Sequence, residues 1–323
     1  MQSPGLFDLQ INGFAGVDFN DAGLTADALD HALEAMRRTG VTQCLPTLIT
    51  ATEAELTERF AALDRAVTRS RLGPRMVPGY HLEGPFLSPE PGFHGCHPRA
   101  AMVDPDPSLA ERVTRGLRHP VLLLTLAAER PGAEALIAWA AARGAVAAIG
   151  HSDAGAKVVA RAVAAGARLS THLGNGLPAR LPKLDNPLLA QLAEDRLMAS
   201  VIADGVHVPQ AALRVMLRAT GVARCILVSD AVAGAAAPPG RYRFAGMAVE
   251  AAADGTVRNG AGALAGSALT LDRAVRNLLR WGLASLAEAV AMASANPAGL
   301  LGQPLAGTVQ WSAGGDVLEC QLD

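Results

Sequence analysis

Residues 146–173 read VAAIGHSDAGAKVVARAVAAGARLSTHL, and this stretch decides the fold. A short apolar run, Val146–His151, gives way to an Ala-rich segment with helical spacing that ends in Gly166, and a second short β-type run, Arg168–His172, follows at once. Two buried strands separated by a helix are the unit of a parallel sheet, because parallel neighbours need a long crossover between them. The alternation continues in both directions. Similar runs occur at Gly5–Asn12, Val41–Thr47, Met76–Glu83 and Val121–Glu129 before it, and at Leu197–Asp204 and Cys225–Asp230 after it. Eight strands with intervening helices predict an α/β fold of the (β/α)8 type, a TIM-like barrel.

Length and charge bound what such a barrel does. The chain has 323 residues, 50% of them hydrophobic, enough for one barrel-sized core and a small appendage. Its 28 Lys and Arg against 30 Asp and Glu leave no basic surplus for nucleic-acid phosphates or an anionic membrane surface, and neither partner is expected. The start MQSPGLFDLQ has neither the basic residues nor the apolar core of a secretion signal, and no charge-free run is long enough to span a bilayer. A cytoplasmic protein is expected. Its four cysteines form no Cys-x-x-Cys pair and read as free thiols. A barrel unit is expected over 1–302, including a hairpin insertion at 241–260 with its turn at Asp254-Gly255, and residues 303–323 are expected to add a short C-terminal β segment.

Barrels of this kind collect reactive side chains at the C-terminal ends of their strands. Glu83, His151, His172 and Asp230 end runs three, five, six and eight. Alone, a strand-end histidine is an ordinary hydrogen-bonded side chain; three such residues on nearby strand mouths form a set. A divalent ion that activates water needs about three protein ligands and an open position, and imidazole nitrogen with carboxylate oxygen suits zinc or iron. Glu83, His151 and His172 supply that set. Asp230 stands where a carboxylate can take a proton from water and return it to a leaving group, a contribution of roughly 10²–10⁴-fold; capping the next segment is its plainer role. His207, in ADGVHV past the seventh run, has a similar place on the rim, as a substrate contact or a structural histidine.

The motifs GLFDLQINGFAGVDFND, GYHLEGPFLSP, GHSDA, THLGNGLP, ADGVHV, VSDA, LAGSALTLDRAV and SANPAGLLG occur in the order seen in N-acetylglucosamine-6-phosphate deacetylases of the amidohydrolase superfamily. The chain resembles that family over nearly its whole length, with HLEGPF and ADGVHV the more specific pair. The resemblance implies a metal-dependent hydrolase that converts N-acetylglucosamine-6-phosphate to glucosamine-6-phosphate and acetate. It implies Glu83, His151 and His172 as metal ligands, Asp230 as general base and acid, and His97 of GCHP beside the acetyl group, with His94 as a rival for that place. Gln10 and Asn12 stand where two-metal relatives carry His-x-His, and neutral amides are poor ligands beside imidazole. One divalent ion per chain is therefore expected, zinc first, although iron, manganese and cobalt accept the same ligands. For the sugar phosphate, the resemblance points to Asn175, the Gly176 N–H, Arg180 or Lys183 as the cation, His207, and Leu264 and Ala265 of the LAGS motif. A homodimer is the family's usual assembly.

Two stretches depart from the family pattern. THLGNGLPARLPKLDNP stands in place of a loop whose Arg reaches the phosphate, with no Arg-Glu-Pro-Gly after it, and SPEPGFHGCHP lacks a Lys-Lys pair before its Gly-x-His-Pro. They leave open a related amidohydrolase acting on a different, unphosphorylated N-acyl amino sugar or small amide. A sugar-binding barrel without catalysis is the remaining alternative. The chain starts almost at its first strand, so the family's small β-sandwich is expected to be reduced or absent.

Overall fold

The computed structural model describes residues 1–322; Asp323, the last residue of the expected C-terminal segment, lies outside the described residues. Eight parallel strands, Leu6–Ile11, Val41–Ile49, Tyr80–Glu83, Val121–Leu126, Val146–Ile149, Ala167–Ser170, Met198–Val201 and Cys225–Leu227, pair in chain order. The eighth returns to the first through an Ile11–Ala231 bridge and the Asp230 N–H, which donates to the Gln10 carbonyl at 2.9 Å. The sheet thus curls into a (β/α)8 barrel.

Strands one and two are buried at every residue, and their polar members Asp8, Gln10, Thr42, Gln43 and Thr47 are buried with the apolar ones, as in a sheet covered on both faces. Helices cover the outside. Glu53–Arg69 opens on a capping box of Thr52 and Glu55. Ala156–Ala165 stops at Gly166, whose φ of 119° suits a residue without Cβ. Among the described residues, no helix is long and apolar enough to cross a membrane.

Just below the mouth, a polar layer replaces part of the apolar filling. His81 Nδ1 lies 3.2 Å from Thr47 Oγ1, its Nε2 lies 2.8 Å from Thr125 Oγ1, and that hydroxyl pairs with Thr171 Oγ1 at 2.8 Å. These bonds tie strands two, three and four to the end of strand six. Burial pushes the His81 pKa down to about 4, so the imidazole is neutral.

Strands four to eight stop two or three residues short of their expected ends, at Leu126, Ile149, Ser170, Val201 and Leu227, and two other expectations need correction. The run expected as strand Met76–Glu83 begins as a helical turn, Gly73–Met76, with Pro74 at its start, and strand begins only at Tyr80. The expected 241–260 hairpin is a four-stranded antiparallel sheet, Gly240–Phe244, Met247–Ala251, Thr256–Asn259 and Leu264–Ser267. Its two additional turns are at residues 260–263 and at Ala245-Gly246, the latter with φ of 50° and 88°, the positive values that a two-residue hairpin turn demands. Asp18 Oδ2 holds the Ala245 N–H at 2.7 Å. The sheet's inner face, Phe244, Val249, Ala251, Val257 and Ala265, forms a second small core with Ile49 and Val232.

The chain ends meet away from this sheet. Gln2–Pro4 pairs antiparallel with Thr308–Trp311, which pairs with Val317–Gln321. This three-stranded sheet stands where a reduced sandwich is expected, and it draws one strand from the segment ahead of the barrel.

Candidate active site

The strand ends deliver the side chains. Glu83 is the last residue of strand three and shares its inward face with His81, two residues back. Just past strands five, six and eight, the chain turns at His151, His172 and Asp230, with φ of 51°, 28° and 49°. Left-handed backbone costs on the order of 1 kcal/mol at each such residue, and here it falls on three of the four residues that meet at the mouth.

Glu83 is the hub. Its Oε1 lies 2.9 Å from His172 Nε2 and 3.5 Å from His151 Nε2, and its Oε2 lies 4.0 Å from His97 Nε2. All four side chains are buried. Burial would raise the Glu83 pKa, but hydrogen bonds with His151 and His172 outweigh it and hold the carboxyl well below the usual range. Burial would likewise lower His172, and Glu83 overrides that to keep the imidazole above its ordinary value. His97 is pushed down to about 3 by burial and by the neighbouring His151.

His151 is fixed from its other side. Its Nδ1 lies 2.6 Å from the Phe93 carbonyl, a contact that needs the proton on Nδ1 and turns Nε2 toward Glu83. Two glycines pack on the ring: a Cβ on Gly176 would stand 2.6 Å from Nδ1, and one on Gly95 would stand 3.0 Å from Cε1.

Asp230 Oδ1 accepts from Asn12 Nδ2 at 2.8 Å and Gln10 Nε2 at 3.3 Å, and the same Gln10 nitrogen reaches Glu83 Oε1 at 3.1 Å. Burial raises the Asp230 carboxyl to about 6, with His172 opposing the shift and Glu83 adding to it.

Asn12, Glu83, His97, His151, His172 and Asp230 line a cleft that also takes in Asn175, Gly176, His207 and Leu264. His207 is held by Asp204, Nδ1 to Oδ2 at 2.6 Å, and Ala265 is buried behind Leu264. Arg180 and Lys183 are exposed on the loop after strand six, outside the lining, and the half-buried His94 is outside it too. Among the described residues, no Lys or Arg lines the cleft.

Other participants are absent from the sequence reading. Thr50, immediately after strand two, places Oγ1 3.0 Å from His97 Nδ1; a polar residue at a strand end is a signal that position alone reveals. The Phe93 carbonyl acts through the backbone and leaves no mark in residue type. Cys96 and Gly266 line the cleft from inside the GCHP and LAGS motifs without being singled out there, and Phe244 lines it with no motif to announce it.

The donor set fits a divalent ion. Ligand atoms about 2.0–2.2 Å from a tetrahedral ion lie about 3.4 Å apart, and the 2.9 and 3.5 Å separations of Glu83 Oε1 from the His172 and His151 nitrogens bracket that spacing. Glu83, His97 and His151 also offer three atoms within 4.8 Å of one another. Of the three imidazoles, His97 stands farthest from the carboxylate.

Comparison with known proteins agrees with this geometry. The amidohydrolase family profile matches residues 1–310. The N-acetylgalactosamine-6-phosphate deacetylase of Escherichia coli O157:H7 is 34% identical over 93% of this chain and 78% of its own. The N-acetylglucosamine-6-phosphate deacetylase of Vibrio furnissii is 32% identical over 93% of this chain and 73% of its own. The solved N-acetyl-D-glucosamine-6-phosphate deacetylase of Mycobacterium smegmatis superimposes with a TM-score of 0.90 at 32% identity, covering 99% of this chain and 86% of that one. An aspartate-to-alanine mutant of that protein, solved in complex with N-acetyl-D-glucosamine-6-phosphate, gives 0.89 at the same identity, covering 99% of this chain and 85% of that one. Barrel, buried Glu/His cluster and profile together make the chain a member of the amidohydrolase family.

Proposed function

We propose that the chain removes the N-acetyl group from N-acetylglucosamine-6-phosphate, giving glucosamine-6-phosphate and acetate. The observation that carries this reading is the convergence of Glu83, His151 and His172 beside Asp230, in a chain whose relatives bear the names of sugar-phosphate deacetylases. Glu83, His151 and His172 would hold one divalent ion, zinc in our assignment, which when bound would supply the Lewis acidity that acidifies water and polarises an amide carbonyl.

Asp230 takes a proton from the attacking water as the water oxygen bonds to the acetyl carbon. Its raised pKa makes it a stronger base than an ordinary aspartate. With the Thr50 hydroxyl donating to Nδ1, His97 offers an Nε2–H to the carbonyl oxygen as negative charge develops there. Asp230 then returns the proton to the sugar nitrogen as the C–N bond breaks, releasing acetate and the amine.

Asn175, the Gly176 N–H and His207 are the assigned sugar-phosphate contacts, with Leu264 and Ala265 as the wall. Because the cleft lining holds no Lys or Arg, we assign the phosphate's cation to Arg180 or Lys183 of a second copy in a homodimer, which their exposed loop favours. The cytoplasm, where sugar phosphates are made and retained, is the compartment this substrate implies. The same lining supports a second reading, an unphosphorylated N-acyl amino sugar.

Acetate release from N-acetylglucosamine-6-phosphate, its galacto epimer and free N-acetylglucosamine separates the readings. We expect the glucosamine phosphate ester to be fastest, with activity lost on chelation and restored by zinc. Equal or faster turnover of the free sugar would replace the first reading by the second.

A further inference from the structure

The geometry points to Gln10 and Asn12 as the residues that aim Asp230 and seat the attacking water, an inference that rests on Asp230 being the base. Gln10 and Asn12 are two residues apart at the end of strand one and face inward together, against the turn that carries Asp230. Both donate to the same oxygen: Asn12 Nδ2 lies 2.8 Å and Gln10 Nε2 lies 3.3 Å from Asp230 Oδ1. Chemistry fixes the orientation of each amide, since reversing either would set a carbonyl oxygen against a carboxylate. A carboxylate held twice at one oxygen keeps its other oxygen for another partner. The second N–H of Gln10 goes to Glu83 Oε1 at 3.1 Å, so a single amide stands between two buried carboxylates and binds both.

Asn12 has a further unsatisfied group. Its Oδ1 is buried without a partner, in a side chain that is 1% exposed and lines the cleft. A buried acceptor left unpaired is unfavourable, and a donor entering the cleft relieves it. Attacking water carries two hydrogens. One passes to Asp230 Oδ2 as the water oxygen's electron pair forms the bond to carbon; the other stays on that oxygen and donates to Asn12 Oδ1. Asn12 is then a catalytic residue that touches the nucleophile, and Gln10 is a positioning residue that acts through Asp230. The amides that make strand one a poor second metal site are the groups that give the base its direction.

A double-mutant cycle between Asn12→Ala and Asp230→Asn tests this, with kcat, KM and metal per chain measured on every variant. Asn12→Ala should lower kcat roughly 100-fold while KM and metal content stay within about threefold of native. The double variant should be no slower than Asp230→Asn alone, because without the base there is nothing to aim. Gln10→Leu should show the same split with a loss of about tenfold. If Asn12→Ala fails to fold, Asn12→Leu, close in size and without either hydrogen-bonding group, takes its place in the cycle with the same expected outcome. An independent further loss in the double variant overturns this inference and leaves Asp230 as the base. So does an Asn12 variant with near-native kcat while Asp230→Asn is inactive. A fully active Asp230→Asn overturns both.

Discussion

A methyl group on Gly176 would stand 2.6 Å from Nδ1 of His151, and Gly176 itself sits at φ 61°. The loop after strand six therefore limits where the ring at the end of strand five can lie. Gly176→Ala should displace the imidazole and weaken metal binding roughly 10–100-fold, the range seen when a ligand's outer support is disturbed. Competition against a chromophoric chelator reads the affinity, and unchanged affinity would mean that the ring is not braced there.

Asp230→Asn removes the proton acceptor and leaves Glu83, His151 and His172 in place. Metal per chain should stay at the native level while kcat falls by roughly 10³-fold. Retention of most turnover would remove Asp230 from the mechanism.

The native pH profile should carry an acid limb. Asp230 works only as a carboxylate, and burial raises its pKa from 3.8 to about 6; a bound cation draws that midpoint lower. Below the midpoint kcat/KM should fall about tenfold per pH unit, and above it the limb should be flat. A profile that rises toward acid would contradict the assignment.

Asp8 lies below Gln10 on the inward face of strand one, where its Oδ1 accepts from the backbone N–H groups of Gln10 and Ser229 at 3.3 and 3.2 Å. Burial raises its pKa from 3.8 to about 7. The unfolded chain gives up this proton near pH 4 and the folded chain near pH 7, so the native state holds the extra proton between them. The stabilisation is fully present below about pH 4 and is lost progressively as pH rises through about 7. At about 1.36 kcal/mol per unit, the full swing is about 4 kcal/mol at most. Asp8→Asn should flatten the change of Tm between pH 5 and pH 8; an undiminished slope in the variant would assign the dependence to other groups.

If Arg180 or Lys183 meets the phosphate, replacing both by Ala should raise KM for the phosphorylated sugar about tenfold or more, as expected for the loss of charge-assisted bonds. KM for the free sugar should not move. Equal effects on both substrates would take the phosphate role away from this loop.

What is legible in the sequence follows from how local its causes are. Val146–His151 announces itself because a strand buried on both faces is apolar, Arg168–His172 because it starts two residues past Gly166, and Gly166 marks the helix end because the turn there needs positive φ. Met76 misleads because Met-Val ahead of Gly79 resembles a strand start, whereas the chain from Gly73 through Pro74 forms a helical turn. Ala245-Gly246 is invisible as a turn: alanine rarely takes φ 50°, and the carboxylate of Asp18 that holds it lies 227 positions away. The Phe93 carbonyl beside His151 and the amides around Asp230 are long-range pairings of the same kind. Strand-end residues can be named from the pattern, but what braces them depends on which loops the barrel closure brings together.

The four-stranded sheet at residues 240–267 supplies Phe244 and Leu264 to the cleft, shares its small core with Ile49 and Val232, and is tied to the barrel where the Ser267 N–H donates to the Asp230 carbonyl at 2.9 Å. None of Glu83, His151, His172 or Asp230 comes from it. Mutational drift in that wall can reshape the sugar pocket while the ligand-bearing strand ends stay as they are. The metal-ligating ends are therefore inherited apart from the pocket wall, while the base is not: selectivity can change over generations through Phe244 and Leu264 at little cost, but a change that reaches Ser267 touches reactivity as well.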